Sequence, residues 1–154
     1  MSPLPATILL IAFAISLGIL IMSLGQQMHS EEDTSINASQ ICSSVSFSIS
    51  NISGHPSVCY NEQEGTVWFM GSNKGNKEIT SMQVWVVGRK PNRHEVLEEP
   101  LPPGGTLETE VDYDAAHYGT IREVRFIPRV RAPELSDPYL CIDYPTTVKN
   151  VNMC

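Results

Sequence analysis

Charged side chains are missing from the start of the chain, where no Asp, Glu, Lys or Arg precedes Glu31. No Lys or Arg flanks this stretch on its C-terminal side either, since Glu31–Asp33 are all acidic. The positive-inside rule therefore gives little guidance on membrane orientation. Ser23-Leu24-Gly25 is an acceptable cleavage site for a secretory signal peptide. The lack of a basic start and the length of the apolar run argue against that interpretation.

Positive charge is scarce in the chain as a whole. Ten Lys and Arg stand against 17 Asp and Glu, which gives a formal net charge of −7 and a pI of about 5.0. A nucleic-acid partner would need clustered cations, so this composition argues against one. It also argues against docking on an anionic membrane surface. An acidic surface on an extracellular protein commonly serves solubility.

Patterns typical of catalysis or metal binding are also missing, so we expect no enzyme activity and no cofactor or metal. The chain has no Cys-x-x-Cys pair, and Pro103-Gly104-Gly105 precedes a strand pattern rather than the helix that a phosphate loop requires. Glu110, Asp112 and Asp114 could attract a cation, but a solvated strand face explains them better. The histidines lie in separate segments without ligand spacing; they are His29, His55, His94 and His117.

An apolar run from Leu4 to Gly25 is the clearest feature that is present. It is long enough to cross the hydrocarbon core of a bilayer as a helix. Ser2 can cap that helix and Pro3 suits its first turn. The small residues of the run let helix backbones approach closely. The sequence predicts a helix over residues 1–28 that crosses a membrane or packs against copies of itself; its expected contact residues are Ala14, Ile15, Gly18 and Gly25.

The rest of the chain has strand patterns after a polar stretch at 29–41, which we predict to be a hinge or linker into which some turns of helix could continue. Val45, Phe47 and Ile49 alternate with serines, the period of a half-buried strand. Short strands of this kind are separated by Gly, Pro and Asn turns, with a single helical turn expected near Asp112–His117. Residues 42–154 therefore predict an antiparallel sandwich of roughly seven to nine strands. The fold class is α plus all-β.

The first 25 or so residues resemble the N-terminal segment of archaeal archaellins and archaeal type IV pilins. Ser2-Pro3, Ala6-Thr7 and the Leu/Ile/Ala-rich residues 8–15 are similar to that family's opening. The family's precursors usually carry a short basic leader, which is not seen before Ser2, and Pro5 stands where an aliphatic residue is more usual. Either the sequence begins near the mature N-terminus or the protein is not processed in the usual way.

The resemblance implies an immunoglobulin-like head domain, and weaker matches extend into residues 42–154. A strand followed by Asn73-Lys74-Gly75, a second strand ending at Gly88 and the Pro103-Gly104-Gly105 turn are similar to such domains. The function implied is a structural subunit of an extracellular cell-surface filament, pilus-like or archaellum-like. Its partners would be further copies of itself, the membrane that holds the precursor, and the assembly machinery. The alternative is a monomeric, single-pass membrane-anchored binding or adhesion module.

All four cysteines lie beyond the apolar run, at positions 42, 59, 141 and 154. With an export-type helix, an even number indicates disulfides in an oxidising compartment rather than a zinc site. Cys42 and Cys59 flank the Ser53–Pro56 turn, and Cys141 and Cys154 flank the bend at Pro145. Antiparallel hairpins would bring each pair together, so we predict the bridges Cys42–Cys59 and Cys141–Cys154.

Two sequons indicate candidate sites of N-glycosylation. Asn37-Ala38-Ser39 lies in the predicted linker, and Asn51-Ile52-Ser53 lies at a predicted turn. A glycan at Asn37 would sit where the helix meets the domain. Such triplets also arise by chance, so a role for either Asn37 or Asn51 depends on export of the protein.

Overall fold

A computed structural model describes residues 4–97, 99–133 and 137–154, and within α1 the side-chain surroundings only at 7–24 and from residue 39 onward. The chain divides into two compact units, Met1–Asn37 and Ala38–Cys154, and every described strand belongs to the second. The described elements, in chain order, are α1 (Leu4–Ser43), β1 (Phe47–Ile49), β2 (Asn51–Ile52), β3 (His55–Pro56), β4 (Val58–Asn61), β5 (Thr66–Asn73), β6 (Ile79–Val87), β7 (Pro91–Val96), β8 (Thr106–Asp112), α2 (Ala115–Tyr118), β9 (Glu123–Val130), β10 (Tyr139–Leu140), β11 (Thr146–Lys149) and β12 (Asn152–Met153).

The second unit contains two five-stranded sheets among the described residues. In the first sheet, β8 pairs along one edge of β5, β1 and β4 follow one another along the other edge, and β12 lies beyond β4. In the second sheet, β6 and β9 are central, β7 lies outside β6, and β10 and β11 lie outside β9. The described pairings are antiparallel except the one between β12 and β4.

The two sheets share one hydrophobic core, because alternate residues of their strands point toward each other. Phe126 of the second sheet packs against Phe69 and Phe47 of the first, with ring centroids 4.8 and 5.6 Å apart. Strand β6 shows this alternation, since Val84 and Val86 are fully buried between the sheets and Trp85 lies on the other face. Burial of a side chain of this size contributes about 1.5–3 kcal/mol. The body is thus a mostly antiparallel β unit that follows an apolar helix.

Tyr113 closes one end of this core, between β8 and α2. Its side chain is 1% exposed, and its hydroxyl donates a hydrogen bond to the Gly119 carbonyl oxygen at 2.7 Å. Burial raises the pKa of the Tyr113 phenol, and the neighbouring Tyr60 and Tyr118 raise it further. The neutral phenol is therefore the form that the folded state holds. The single helical turn expected here is α2, whose first turn is capped by Asp114.

The structure differs from the sequence pattern in two places. Residues 29–41, where we predict a linker with some turns of helix, are helical throughout as part of α1, and the second unit begins at Ala38. That stretch contains neither Gly nor Pro, so its polar composition alone does not end a helix. Strand β7 begins at Pro91, although the sequence of Lys90–Arg93 favours a turn. An edge strand tolerates proline at its first residue, because no ladder donor is needed there.

Both predicted disulfides are wrong, since the bonds are Cys42–Cys141 and Cys59–Cys154. Cys42 and Cys59 do not face each other, because β1 and β4 run in the same direction along one edge of β5. The short hairpin β2–β3 is inserted between β1 and β4 along this edge. Its two ends are held together by Ser57 N–H, which donates to the Ser50 carbonyl oxygen at 2.8 Å. What was expected to be a long hairpin is therefore one interrupted edge strand.

Cys141 and Cys154 are separated because the end of the chain changes sheets. Strands β10 and β11 pair with β9 in the second sheet, whereas β12 pairs with β4 in the first. Asn150, with φ 57°, lies at the crossing between β11 and β12. The register places Asn152 opposite Cys59, so Cys154 reaches the neighbouring cysteine on β4.

We expect loss of the Cys59–Cys154 bridge, in the Cys59→Ser/Cys154→Ser variant, to lower the free energy of unfolding by about 2–5 kcal/mol. The bridge closes a loop with a sequence separation of 95, and β12 has only two paired residues to hold it otherwise. Urea unfolding of the detergent-solubilised chain measures the loss. Non-reducing peptide mapping should recover Cys42 with Cys141 in both proteins; a Cys42–Cys59 peptide would contradict the topology.

We expect Tyr113→Phe to lower the free energy of unfolding by about 1–2 kcal/mol, because the buried Gly119 carbonyl loses its donor. Since the folded-state pKa lies above the unfolded value, the contribution of Tyr113 is complete below about pH 10 and is lost as the pH rises through the folded pKa. Thermal unfolding between about pH 8 and 11 measures both effects. Tyr139→Phe, at a residue 41% exposed, is the matched control and should change neither.

Candidate functional site

The main candidate site is the surface of α1 between Thr7 and Leu24, which we call the apolar helix surface. These 18 residues have a mean hydropathy of 2.6, and none of them is buried. They include no Asp, Glu, Lys or Arg, and apolar side chains surround the helix on all sides. The large side chains are 44–74% exposed; they are Ile8, Leu9, Leu10, Ile11, Phe13, Ile15, Leu17, Ile19, Leu20, Ile21, Met22 and Leu24.

The two serines in this surface do not interrupt its apolar character. Ser16 Oγ donates to the Ala12 carbonyl oxygen at 2.9 Å, and Ser23 Oγ donates to the Leu20 carbonyl oxygen at 3.0 Å. Serine hydroxyls commonly satisfy themselves in this way on the preceding turn of a helix. The helix therefore does not need water to satisfy these two hydroxyls, and a dry environment can accept them.

Three of the four expected contact residues, Ala14, Ile15 and Gly18, lie within this surface. Ala14 and Ile15 are exposed, and Ile15 is 59% exposed. Gly18 has no atom within 4 Å of the position that a Cβ would occupy, so a neighbouring helix can approach its backbone. Gly25 is helical but lies outside the residues whose surroundings the structure describes.

A helix that is apolar on every side needs a covering, either lipid or protein. Its length and composition suffice to span a bilayer. Each large side chain removed from water contributes about 1.5–3 kcal/mol, and 12 such side chains are exposed here. The apolar helix surface is therefore a strong determinant of where the protein resides and what it packs against.

The last residues of α1, 38–43, belong to the β unit and are bonded to its other residues. Cys42 is 1% exposed and forms its disulfide with Cys141, which follows β10. Beyond the helix, the backbone of Ser44 passes so close to Gly75 that a Cβ there would lie 2.7 Å from the Ser44 carbonyl oxygen. Ser39 and Tyr144 hydroxyls hydrogen-bond at 3.1 Å. The disulfide thus links the end of the helix covalently to the second sheet.

The two sequons differ in setting. Asn51 is exposed on β2, in a hairpin whose turn residues Ser53 and Gly54 have φ of 54° and 84°. This hairpin protrudes from the edge of the first sheet, so the Asn51 side chain is accessible. Asn37 is helical, but its side chain lies outside the described surroundings. The structure thus places one of the two predicted acceptors, Asn51, on an exposed strand.

The titratable residues considered in the sequence do not converge on one place. Asp114 caps α2 by accepting from the Ala116 and His117 amides at 2.9 and 3.2 Å. Glu110 accepts from the Thr66 hydroxyl at 3.2 Å. No group of three or more His, Cys, Asp or Glu able to hold a metal ion occurs among the described residues. The acidic side chains thus serve as a helix cap and as parts of a strand surface.

The histidines are likewise dispersed. His55 is exposed on β3, and the ring of His117 packs on Tyr118 at 4.7 Å. His94 is partly buried on β7, and its Nε2 has no hydrogen-bond partner in the structure. The side-chain surroundings of His29 lie outside the described residues. None of the three described rings lies in a cluster of ligands.

The sequence interpretation missed an ordered arrangement of charges on the outward side of the second sheet. The Arg93 guanidinium lies over the Trp85 ring, 4.2 Å from its centroid. Arg129 of β9 donates to Glu95 of β7 at 3.0 Å, across the strand β6 that lies between them. Period-2 alternation in β9 would have placed Arg125 and Arg129 on one face. It could not have shown which residues of β7 lie beside them.

Comparison with protein-family models, curated proteins and solved structures finds no match for this chain. Inference about function therefore starts from the features described above. These are the uncharged apolar helix surface, a disulfide-bonded β unit and an ordered arrangement of charges on the second sheet.

We expect a chain that begins at Ala38 to be soluble and folded without detergent. The second unit has its own core and both disulfides, whereas the apolar helix surface lies wholly in the first. Solubility and near-UV circular dichroism, compared with the full chain with and without detergent, measure the outcome. If the shortened chain still requires detergent, a second apolar surface on the β unit must exist.

Proposed function

We propose that this protein is a structural subunit of an extracellular cell-surface filament, pilus-like or archaellum-like, that polymerises through its N-terminal helix. The single observation that supports this most is the apolar helix surface, which is uncharged and unburied over 18 residues. In the assembled state, helices from many copies would cover one another and form a central bundle. The β units would form the outer layer.

The energetics favour polymerisation once the helix leaves lipid. Outside a bilayer, the only covering available for a helix apolar on all sides is protein. A single partner helix covers only one side of it, so full burial requires several neighbours. Repeated head-to-tail packing through an operator that does not close produces an open helical assembly rather than a ring.

Other features agree with an exported filament subunit. The two disulfides indicate an oxidising environment, in which such bonds persist. The two sheets that share one core are compatible with the immunoglobulin-like head domain implied by the resemblance of residues 2–15 to archaellins and archaeal type IV pilins. In that proposal, the membrane holds the subunit before assembly machinery transfers it to the filament.

A single-pass anchored binding or adhesion module is the second candidate, and the same helix favours it. Thr7–Leu24 is long and apolar enough to remain in a bilayer permanently. In that case the β unit would act alone at the cell surface. Electron microscopy of sheared surface material separates the two: fibres containing this chain support the filament, whereas recovery only with detergent-solubilised membrane supports the anchor.

We expect Ile15→Asp to abolish fibres, because it places an unpaired carboxylate in a dry helix bundle at a cost of several kcal/mol. Fibre yield by sedimentation and negative-stain microscopy measures the effect. Ile52→Asp is the matched control, since Ile52 is 56% exposed, close to the 59% of Ile15, but lies on β2. Fibres of unchanged yield and diameter from Ile15→Asp would show that the helix does not form the filament core.

A second variant tests close packing rather than burial of charge. Gly18→Leu keeps the helix apolar and fits the isolated subunit, because nothing lies within 4 Å of that site. In a bundle, the added side chain would hold neighbouring backbones apart and reduce fibre yield. An anchor that stays alone in lipid would accept Gly18→Leu without any change in membrane recovery.

A further inference from the structure

The outward side of the first sheet is negatively charged, and we call it the acidic face. It is formed by Trp68 and Met70 of β5 with three exposed carboxylates of β8, namely Glu108, Glu110 and Asp112. The indole N–H of Trp68 donates to Glu108 at 3.3 Å, which shows that both lie on this side. The strands of this sheet, β1, β4, β5, β8 and β12, contain these three carboxylates and no Lys or Arg.

The outward side of the second sheet has the opposite charge, and we call it the arginine face. Its strands β6, β7, β9, β10 and β11 hold four cations and two carboxylates on that side, an excess of two positive charges. The side chains of Arg125 and Arg129 are 43% and 32% exposed. The cations are Arg93, Arg125, Arg129 and Lys149, and the carboxylates are Glu95 and Glu123.

Neighbouring side chains hold part of the arginine face in place. The Arg93 guanidinium carbon lies over the Trp85 ring, 4.2 Å from its centroid, and the cation–π attraction holds this charge at the surface of the sheet. Glu95 accepts from Ser81 at 2.5 Å and from Arg129 at 3.0 Å. Glu123 accepts from Arg125 Nε at 2.6 Å. Cations ordered in this way lose less side-chain entropy when they bind a second carboxylate.

We infer that the acidic face of one copy of this chain docks on the arginine face of the next copy. The two faces have opposite charge, and they lie on opposite sides of the shared core, because each is the outward side of one of its two sheets. Trp68 and Met70 are half-buried between the carboxylates and supply an apolar centre for the contact. Trp and Arg are the side chains that most often dominate such interfaces.

Faces on opposite sides of one body give a head-to-tail contact that does not close on itself. Each copy then offers one free face of each sign to further copies, which produces a continuous row of β units. The inference deepens the proposed function and rests on it for its setting, since such rows would make lateral contacts in the outer layer of the filament. The helices and the faces would supply two separate interfaces between subunits.

Charge reversal tests this contact in the full chain. Glu110→Lys/Asp112→Lys leaves both faces positive, and Arg93→Glu/Lys149→Glu leaves both faces negative. Each variant alone should associate roughly tenfold or more weakly than the wild type at low salt, because like charges then oppose each other. An equimolar mixture should restore association, since each variant presents the charge that the other needs. Glu78→Lys/Glu99→Lys, with the same change of charge at exposed sites outside the strands, is the control.

Association is measured by light scattering of the detergent-solubilised full chain, at low and high salt. Wild-type association should fall as salt is added, since exposed charges are screened beyond ~10 Å at 0.1 M. Equal association of the wild type and both variants, without rescue on mixing, would overturn the inference. Non-reducing peptide mapping of each variant confirms that both disulfides have formed.

A second measurement needs no substitution. Carbodiimide coupling of a mixture of ¹⁴N- and ¹⁵N-labelled wild-type chains should join Lys149 of one copy to Glu108, Glu110 or Asp112 of another. Cross-linked peptides that combine a ¹⁴N and a ¹⁵N partner come from two different copies and support the contact. If no cross-linked Lys149 peptide combines the two isotopes, the contact is excluded. The latter result is also expected if the arginine face serves an unrelated anionic partner.

The two proposals fail in different ways. Fibres that form normally while charge reversal and cross-linking give negative results would leave the filament proposal standing and overturn the face-to-face contact. Cross-linked copies in detergent, from a chain that never forms fibres, would support the contact and contradict the filament.

Discussion

Exposure of hydrocarbon to water is the constraint on which this molecule depends. Twelve large side chains between Thr7 and Leu24 are exposed, and the two serines among them bond back to the helix. The β unit has a hydrophobic core of its own. The helix therefore determines that the folded chain needs an apolar environment, either lipid or other protein, around residues 7–24.

The β unit is built to hold the end of this helix. Cys42 lies in the last turn of α1 and bonds to Cys141, while Thr146 Oγ donates to the Phe47 carbonyl oxygen and joins the second sheet to the first. The second bridge fastens Cys154 to β4. The end of α1 is therefore joined covalently to both sheets, through the Cys42–Cys141 bond and through the chain that continues into β1.

The sequence predicted the features that depend on local pattern and missed those that depend on where distant segments meet. An uninterrupted apolar run indicates the helix, and alternation of apolar and polar residues indicates strands such as β6 and β8. The length of the helix through 29–41 was underestimated, because the polar composition favoured a linker although no Gly or Pro interrupts the helix there. The predicted disulfides were wrong because cysteine spacing does not determine strand order: β1 and β4 share an edge of β5, and β12 leaves the sheet of β11. The contact residues predicted for α1 rest on composition, whereas the paired charges of β7 and β9 required the register.

The disulfide connectivity has a consequence for biogenesis. Each native bond joins cysteines separated by 99 or 95 residues, whereas the neighbours in sequence, which meet first in a disordered chain, are the wrong partners. If the cysteines are oxidised before the strands assemble, the chain would be trapped with the non-native bonds Cys42–Cys59 and Cys141–Cys154, each of which closes a short loop. Such an isomer reaches the native pairing only by thiol–disulfide exchange, which must continue until both ends of the chain have docked on their sheets.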